Sequence, residues 1–316
     1  MKTPLELLVS GLTLLALATL NSQLSTAFAQ GSLTPPGAPV PTMKTLDQIE
    51  PRTPISSAPF TISAPGSYYL TTNLTAAGGN AITIATNGVT LDLNGFTIAS
   101  TAASATGTGI LLNSGLSDLT IFNGHIRGGV TNNGSGVYSG SGFGSGISYS
   151  SSQAANVRVT GVSVNGCLTN GIYLGANNPT VVESCTVMTV GSLGIVASTI
   201  KSSVAVDCGS DAIYGFQVSD SRGQSTGSGR GLYAITALNC YGYSVAGTGL
   251  YANRTAQNCY GYSISANGLN AGDIAIGCSG YNAFGGTGLS AYIANSCRGT
   301  TDSGTAQNTT YKYNMP

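Results

Sequence analysis

Short runs of alternating apolar and polar residues recur through most of the chain. Val89, Leu91 and Leu93 alternate with Thr90 and Asp92 before Asn94-Gly95 ends the run, and Leu119 and Ile121 do the same before Asn123-Gly124. A period of two closed by Asn-Gly is the pattern of a half-buried strand leading into a turn, so these segments are predicted as strands. Met43, Leu46 and Ile49 stand at helical spacing, which predicts one short amphipathic turn covering the near end of the strand region.

The pattern is repetitive. Gly231-Leu232-Tyr233, Gly249-Leu250-Tyr251, Gly268-Leu269-Asn270 and Gly288-Leu289-Ser290 succeed one another at steps of 18, 19 and 20 residues, and Cys240, Cys259, Cys278 and Cys297 at steps of 19. Ser221 holds the cysteine place one step earlier. Upstream the unit lengthens to about 23 to 25 residues, running from Gly171-Ile172-Tyr173 to Cys185 and from Gly194-Ile195-Val196 to Cys208. Units too short to bury a core alone must stack, which predicts an all-β solenoid. Roughly ten coils at a strand spacing of about 4.8 Å make a rod about 45 to 50 Å long. Small or branched residues are expected inside and glycine at the corners, where positive φ is needed. The Gly/Ser-rich stretch over 128–146 breaks the period and is expected as a loop ejected from the wall.

Composition narrows the partners. The 316 residues carry 11 Lys+Arg against 11 Asp+Glu and only 7% charged residues, so the chain lacks the basic footprint of nucleic-acid binding. Lys2, an apolar run over 5–20 interrupted by Glu6, and Ala27-Phe28-Ala29 read as a cleaved secretory signal, too short for a membrane span. The expected organisation is a signal peptide over 1–29, a Pro-rich linker and cap over 30–54, the repeat region over 55–300 and a C-terminal tail over 301–316. No membrane span remains after cleavage, and the mature protein is expected outside the cell, on its surface or in a periplasm.

The run from Phe60-Thr61-Ile62 to Tyr68-Tyr69-Leu70, with Leu91-Asp92-Leu93-Asn94-Gly95-Phe96-Thr97-Ile98, resembles the opening of bacterial exported parallel β-helix proteins of the pectin-lyase-like superfamily. The Asn-Cys-Tyr-Gly-Tyr-Ser units at 239–244 and 258–263 are similar to a repeat-bearing subgroup of these. The resemblance covers about residues 42–300 and implies a right-handed parallel β-helix, a single-stranded solenoid. Variable steps and the lack of a hexapeptide pattern speak against a left-handed one. It implies no single activity, because lyases, hydrolases, phage tailspikes and proteins without activity share the fold.

The lyases of that superfamily gather acidic residues on adjacent coils around Ca²⁺, with Arg or Lys as base, and its hydrolases pair or triple aspartates. Measured from the turn anchors, Asp92, Asp118, Glu183 and Asp207 fall in different columns, and the hydrolase motifs are missing as a set. No metal or cofactor is expected except Ca²⁺ under the lyase alternative. His125, the single imidazole, with Arg127, Arg158 and Asp92, would form the catalytic set of an enzyme. Arg158 and Lys201 suit a uronate carboxylate, and Asp207 and Asp211 bracket a coil corner where a cation could sit. The plain alternative for each is a solvated or structural residue. Gly223-Gln224-Ser225-Thr226-Gly227 fits a nucleophile-elbow expression but lacks its strand-elbow-helix context.

Seven cysteines in an exported chain suggest disulfides, yet equivalent positions on successive coils hold their Cβ atoms parallel at about 4.8 Å, beyond the usual 3.5 to 4.5 Å. A buried thiol ladder is the preferred reading, over one or two bridges or a metal site. Tyr214, Tyr233 and Tyr251 share one column, and Tyr243, Tyr262 and Tyr281 another. An exposed tyrosine column can serve as a platform for sugar rings or as a stacked ladder stabilising the wall. The expectation is an exported β-helix that binds polysaccharide or another surface polymer without catalysis. A polysaccharide lyase or glycoside hydrolase with its site in the N-terminal half, and a structural cell-envelope solenoid, are the alternatives.

Overall fold

The computed structural model describes residues 51–315. The expected signal peptide, most of the linker and the turn at 43–49 lie outside the described residues. Every regular element among the described residues is a strand. Phe60, Ile82, Ile110, Ile147, Ile172, Ile195, Ile213, Leu232, Leu250, Leu269, Leu289 and Gln307 pair in succession, all in parallel. The fold is a right-handed parallel β-solenoid, with twelve coils among the described residues. Eleven steps at a strand spacing of about 4.8 Å separate its ends by about 53 Å.

Each coil has three faces. In the repeat unit, residues 232–234 form face A, a register shift leads to 236–238 on face B, and Tyr241–Ser244 forms face C. The corner between faces B and C is a column of left-handed residues: Asn123, Ser184, Ser202, Asp220, Asn239, Asn258 and Ser296 have φ between 46 and 63°. Asn, Asp and Ser tolerate this region because short polar side chains bond locally. Asn258 donates to Asn239 and Asn239 to Asp220, at 3.3 and 3.0 Å.

The interior tapers along the axis. On face C the inward column reads Leu74, Ile98, Ile126, Val164, Val187, Ala205, then Gly223, Gly242, Gly261, Gly280 and Gly299. On face B it runs from Leu91, Ile121 and Val159 to Ala237, Ala256, Ala275 and Ala294. Coils shorten as these side chains shrink, until face C lies backbone to backbone on the start of face A. A Cβ added at Gly242 or Gly261 would collide with the carbonyl oxygen of Gly249 or Gly268. These glycines sit inside and are glycine because no space is left for Cβ, whereas Gly161 and Gly277, with φ of 62 and 61°, hold the B–C corner as expected.

Directly after the left-handed corner stands a ladder of buried acceptors. Backbone N–H groups of Cys185 and Ser203 donate to the Oγ of Ser203 and Ser221 at 3.2 Å each, and those of Cys240, Cys259 and Cys278 donate to the next cysteine Sγ at 3.4, 3.5 and 3.3 Å. Each thiol or hydroxyl donates in turn to the carbonyl two residues before it, as Cys240 does to Leu238 at 3.1 Å. Cys208 does not belong to this ladder, contrary to the motif alignment. It pairs with Val190 and Ser225, in the column of Cys167, and Ser203 takes the corner place. All seven cysteines are buried and free.

The stretch over 128–146 is more ordered than an ejected loop. Gly129–Asn132 and Tyr138–Ser141 pair as an antiparallel hairpin that folds back over face C. Strand Thr305–Tyr313 pairs along Thr287–Asn295, so the coils continue past residue 300 into the stretch expected as a tail.

Candidate functional site

Face C presents two outward columns along most of the solenoid. One runs His125, Ser163, Thr186, Val204, Arg222, Tyr241, Tyr260, Ser279, Arg298. The other begins Arg127, Asn165, Met188, Val206 and ends Gln224, Tyr243, Tyr262, Tyr281, Thr300. The order Tyr-Gly-Tyr-Ser produces this surface by strand alternation, with tyrosines out and glycine and serine in. Ser244 and Ser263 turn inward to bond the carbonyls of Gly229 and Gly247 at 2.6 and 2.7 Å.

Tyr243, Tyr262 and Tyr281 stack at 5.2 and 5.0 Å between centroids, with planes 12 and 15° apart. Tyr241 and Tyr260 stack beside them at 5.5 Å, a column the sequence reading did not single out, and Arg222 lies over Tyr241 at 5.4 Å. On face A, Tyr214, Tyr233 and Tyr251 stack at 4.6 and 5.5 Å. Arg230 lies over Tyr233 at 4.2 Å and holds Asp211 with Nη2 at 2.6 Å and Nε at 3.2 Å. Asp211 is thus committed to an arginine. Stacking has a chemical consequence: an interior ring such as Tyr262 or Tyr233 has neighbours on both faces, so ring edges and phenol hydroxyls form the outer surface. A flat platform of open ring faces is not what these ladders present.

The candidate catalytic residues do not meet. Asp92 is buried and saturated, accepting from Arg52 at 2.9 Å, the Asn94 backbone at 2.7 Å and Asn123 at 3.2 Å. Arg158 is exposed and pairs with Glu183 at 3.3 Å, and Lys201 lies one coil beyond Glu183 in register. Asp92 and Glu183 share a column after all, through Phe122 and Thr160, but three coils, about 14 Å, separate them. His125 and Arg127 stand on face C in the very columns of the tyrosines. Five coil steps, about 24 Å, lie between His125 and Tyr241. Among the described residues no three His, Cys, Asp or Glu side chains gather as a metal site. Burial pushes the Cys167 thiol up to about 12, and burial together with Asp207 raises that of Cys208, so neither is a thiolate near neutrality.

Arg127 borders a cleft of about 380 Å³ between face C and the hairpin, with Asn165, Thr189 and Asp207 along the wall and Asn132 on the hairpin. Asp207 is the latch. It accepts from Asn132 at 2.6 Å, Tyr138 at 2.9 Å and Thr226 at 3.0 Å. Desolvation works to raise its pKa, but these donors and Thr189 outweigh it and hold the carboxyl below its usual value. Sequence reasoning missed this cluster because its hairpin members, Asn132 and Tyr138, lie 69 to 94 residues from Asp207 and Thr226 on the wall.

The chain matches no protein-family model, no curated protein and no solved structure.

Proposed function

We propose that this protein is an exported β-solenoid that binds a repeating polymer, a polysaccharide or other surface glycan, along its tyrosine-bearing faces without catalysing a reaction. The observation that carries the reading is the double column of outward tyrosines on face C, with ring spacings of 5.0 to 5.5 Å. Such a row offers the same hydroxyl and ring edge at every coil, and only a ligand that itself repeats engages many of them together. Contacts that are each weak then sum along the chain. Arg222 and Arg298, which flank Tyr241, Tyr260 and Ser279 in one column, add charge-assisted donors for acidic or hydroxyl-rich polymers. Asp92 held by Arg52, Asn94 and Asn123, and Arg158 paired with Glu183, speak against the enzyme alternative, since acid and base must both be free to reach one bond. Export is inferred from the signal-like residues 1–29.

The test is co-sedimentation and array binding of the purified full-length chain with neutral and uronate-containing polysaccharides, with and without Ca²⁺, and then assays for unsaturated and reducing-end products. Binding without product, weakened by Tyr243→Ala and Tyr262→Ala, is expected. Product formation, or binding insensitive to every tyrosine, would overturn the proposal.

A further inference from the structure

The outward column of face A is aromatic with one rung missing. In register it reads Tyr173, Val196, Tyr214, Tyr233, Tyr251. Tyr173 already stacks on Tyr149 at 5.2 Å, and Tyr214 on Tyr233 at 4.6 Å. Each therefore has its other face on the side of Val196, a short side chain that is buried at the floor between the two levels. The two strands that carry them are two strand spacings apart, about 9.6 Å. A ring inserted midway would have about 4.8 Å to either side, within the 4.6 to 5.5 Å at which the tyrosines themselves stack. A cavity of about 290 Å³ occupies this place, with Val196 and Leu193 among its lining and Gln153, Asn177 and Asp211 as its polar groups.

The longer coil explains the opening. Residues 176–179 are extra relative to the 19-residue unit and lift Asn177 to the mouth, and Gly175, with φ 76°, lets Gln153 pack over its backbone. In contrast to the closed ladders, Tyr173 and Tyr214 both line this cavity with no aromatic ring at the level between them.

We infer that the slot between Tyr173 and Tyr214 is a binding site for a single pyranose ring, sandwiched by the two tyrosines over Val196. An inserted pyranose offers both flat faces to the rings, as sugar stacking on aromatics requires, while its equatorial hydroxyls reach the carboxamides of Gln153 and Asn177, with Asp211 held by Arg230. The inference rests on the polysaccharide reading and gives it a defined anchoring subsite, where one residue of the polymer is held by its faces while the ladders meet the rest edge-on.

The test is Val196→Tyr, which supplies the missing rung from the protein and plugs the slot. The full chain is titrated with cellohexaose, chitohexaose and a galacturonan hexamer by calorimetry, with saturation-transfer NMR reporting the ring in contact. At least a tenfold loss of affinity in Val196→Tyr, with an unchanged circular dichroism spectrum and an equal or higher Tm, is expected. Tyr214→Ala, which removes one wall, must cost a similar factor, and it decides the matter if the plugged variant fails to fold. Unchanged affinity in both variants, together with a loss in Tyr262→Ala, overturns the slot and leaves the polymer-binding wall standing. No binding of any saccharide overturns both. Binding of N-acetyl-tyrosine amide in the slot without saccharide binding overturns the sugar assignment.

Discussion

The backbone N–H of Cys240 is bonded to the Sγ of Cys259, one coil further along the axis, at 3.4 Å. Serine performs the same task at Ser203 and Ser221. What the corner needs is a small buried side chain that accepts from one coil and donates within its own. Cys259→Ser should therefore cost less than about 1 kcal/mol, whereas Cys259→Ala strands the buried Cys240 N–H and should cost about 1 to 3 kcal/mol. Urea denaturation of both variants checks this. A serine variant less stable than the alanine one would show that sulfur packing, not acceptance, governs the corner.

A second expectation concerns the collapsed interior. Gly261→Ala drives a Cβ into the Gly268 carbonyl oxygen, and both partners are backbone, so neither can swing aside. The expected loss is about 3 kcal/mol or more, or failure to fold. Gly78 has nothing within 4 Å of a built Cβ, and Gly78→Ala should stay within about 0.5 kcal/mol of the parent. Comparable Tm values for the two would contradict the tapered packing.

The hairpin latch is pH-dependent. The folded Asp207 pKa lies below its ordinary value, so the stabilisation is fully present above an unfolded value of about 3.9 and disappears as pH falls through the lower folded one. The Tyr138 ring resonances, tracked by NMR from pH 7 to pH 2, should move only in that acidic window. In Asp207→Asn the shift should already be present at pH 7. A Tyr138 environment identical in parent and variant at neutral pH would argue against the latch.

Stacking and binding separate at Tyr262. Tyr262→Phe keeps both ring contacts and removes the hydroxyl, so its Tm should hold while polymer binding weakens several-fold. Tyr262→Ala removes two stacked pairs, each contributing about 0.5 to 1.5 kcal/mol, and should lower both. Equal binding by the phenylalanine variant and the parent would remove the phenol hydroxyl from the recognition surface.

The sequence made the tyrosine columns legible because the coils that carry them are nearly equal in length, so counting 19 residues lands on the stacked partner. Where coils lengthen, counting fails. Tyr173 and Tyr214 lie two coils apart, but only the pairing of Val196 with both reveals that they face each other. Cys208 misled because the ladder advances only 18 residues from Cys185 to Ser203, so a cysteine 23 residues on falls at the far end of face C, paired with Val190. Asn132 and Asp207, 75 residues apart, carry no local signal at all. Glycine was legible at corners such as Gly277 but not at Gly242 or Gly261, since a residue without Cβ looks the same in a sequence whether the chain must turn or a second backbone must pass close by.

The narrowing from Leu74 to Gly299 also gives the stack an address system. A one-coil slip among Gly242, Gly261 and Gly280 would replace glycine by glycine inside and Tyr243, Tyr262 and Tyr281 by one another outside, so the last coils carry little information about their own order. Upstream, a slip would press Val187 or Ala205 into space made for a neighbour of different size. The information that fixes the register of the stack therefore lies in the graded end, where side-chain size distinguishes one coil from the next.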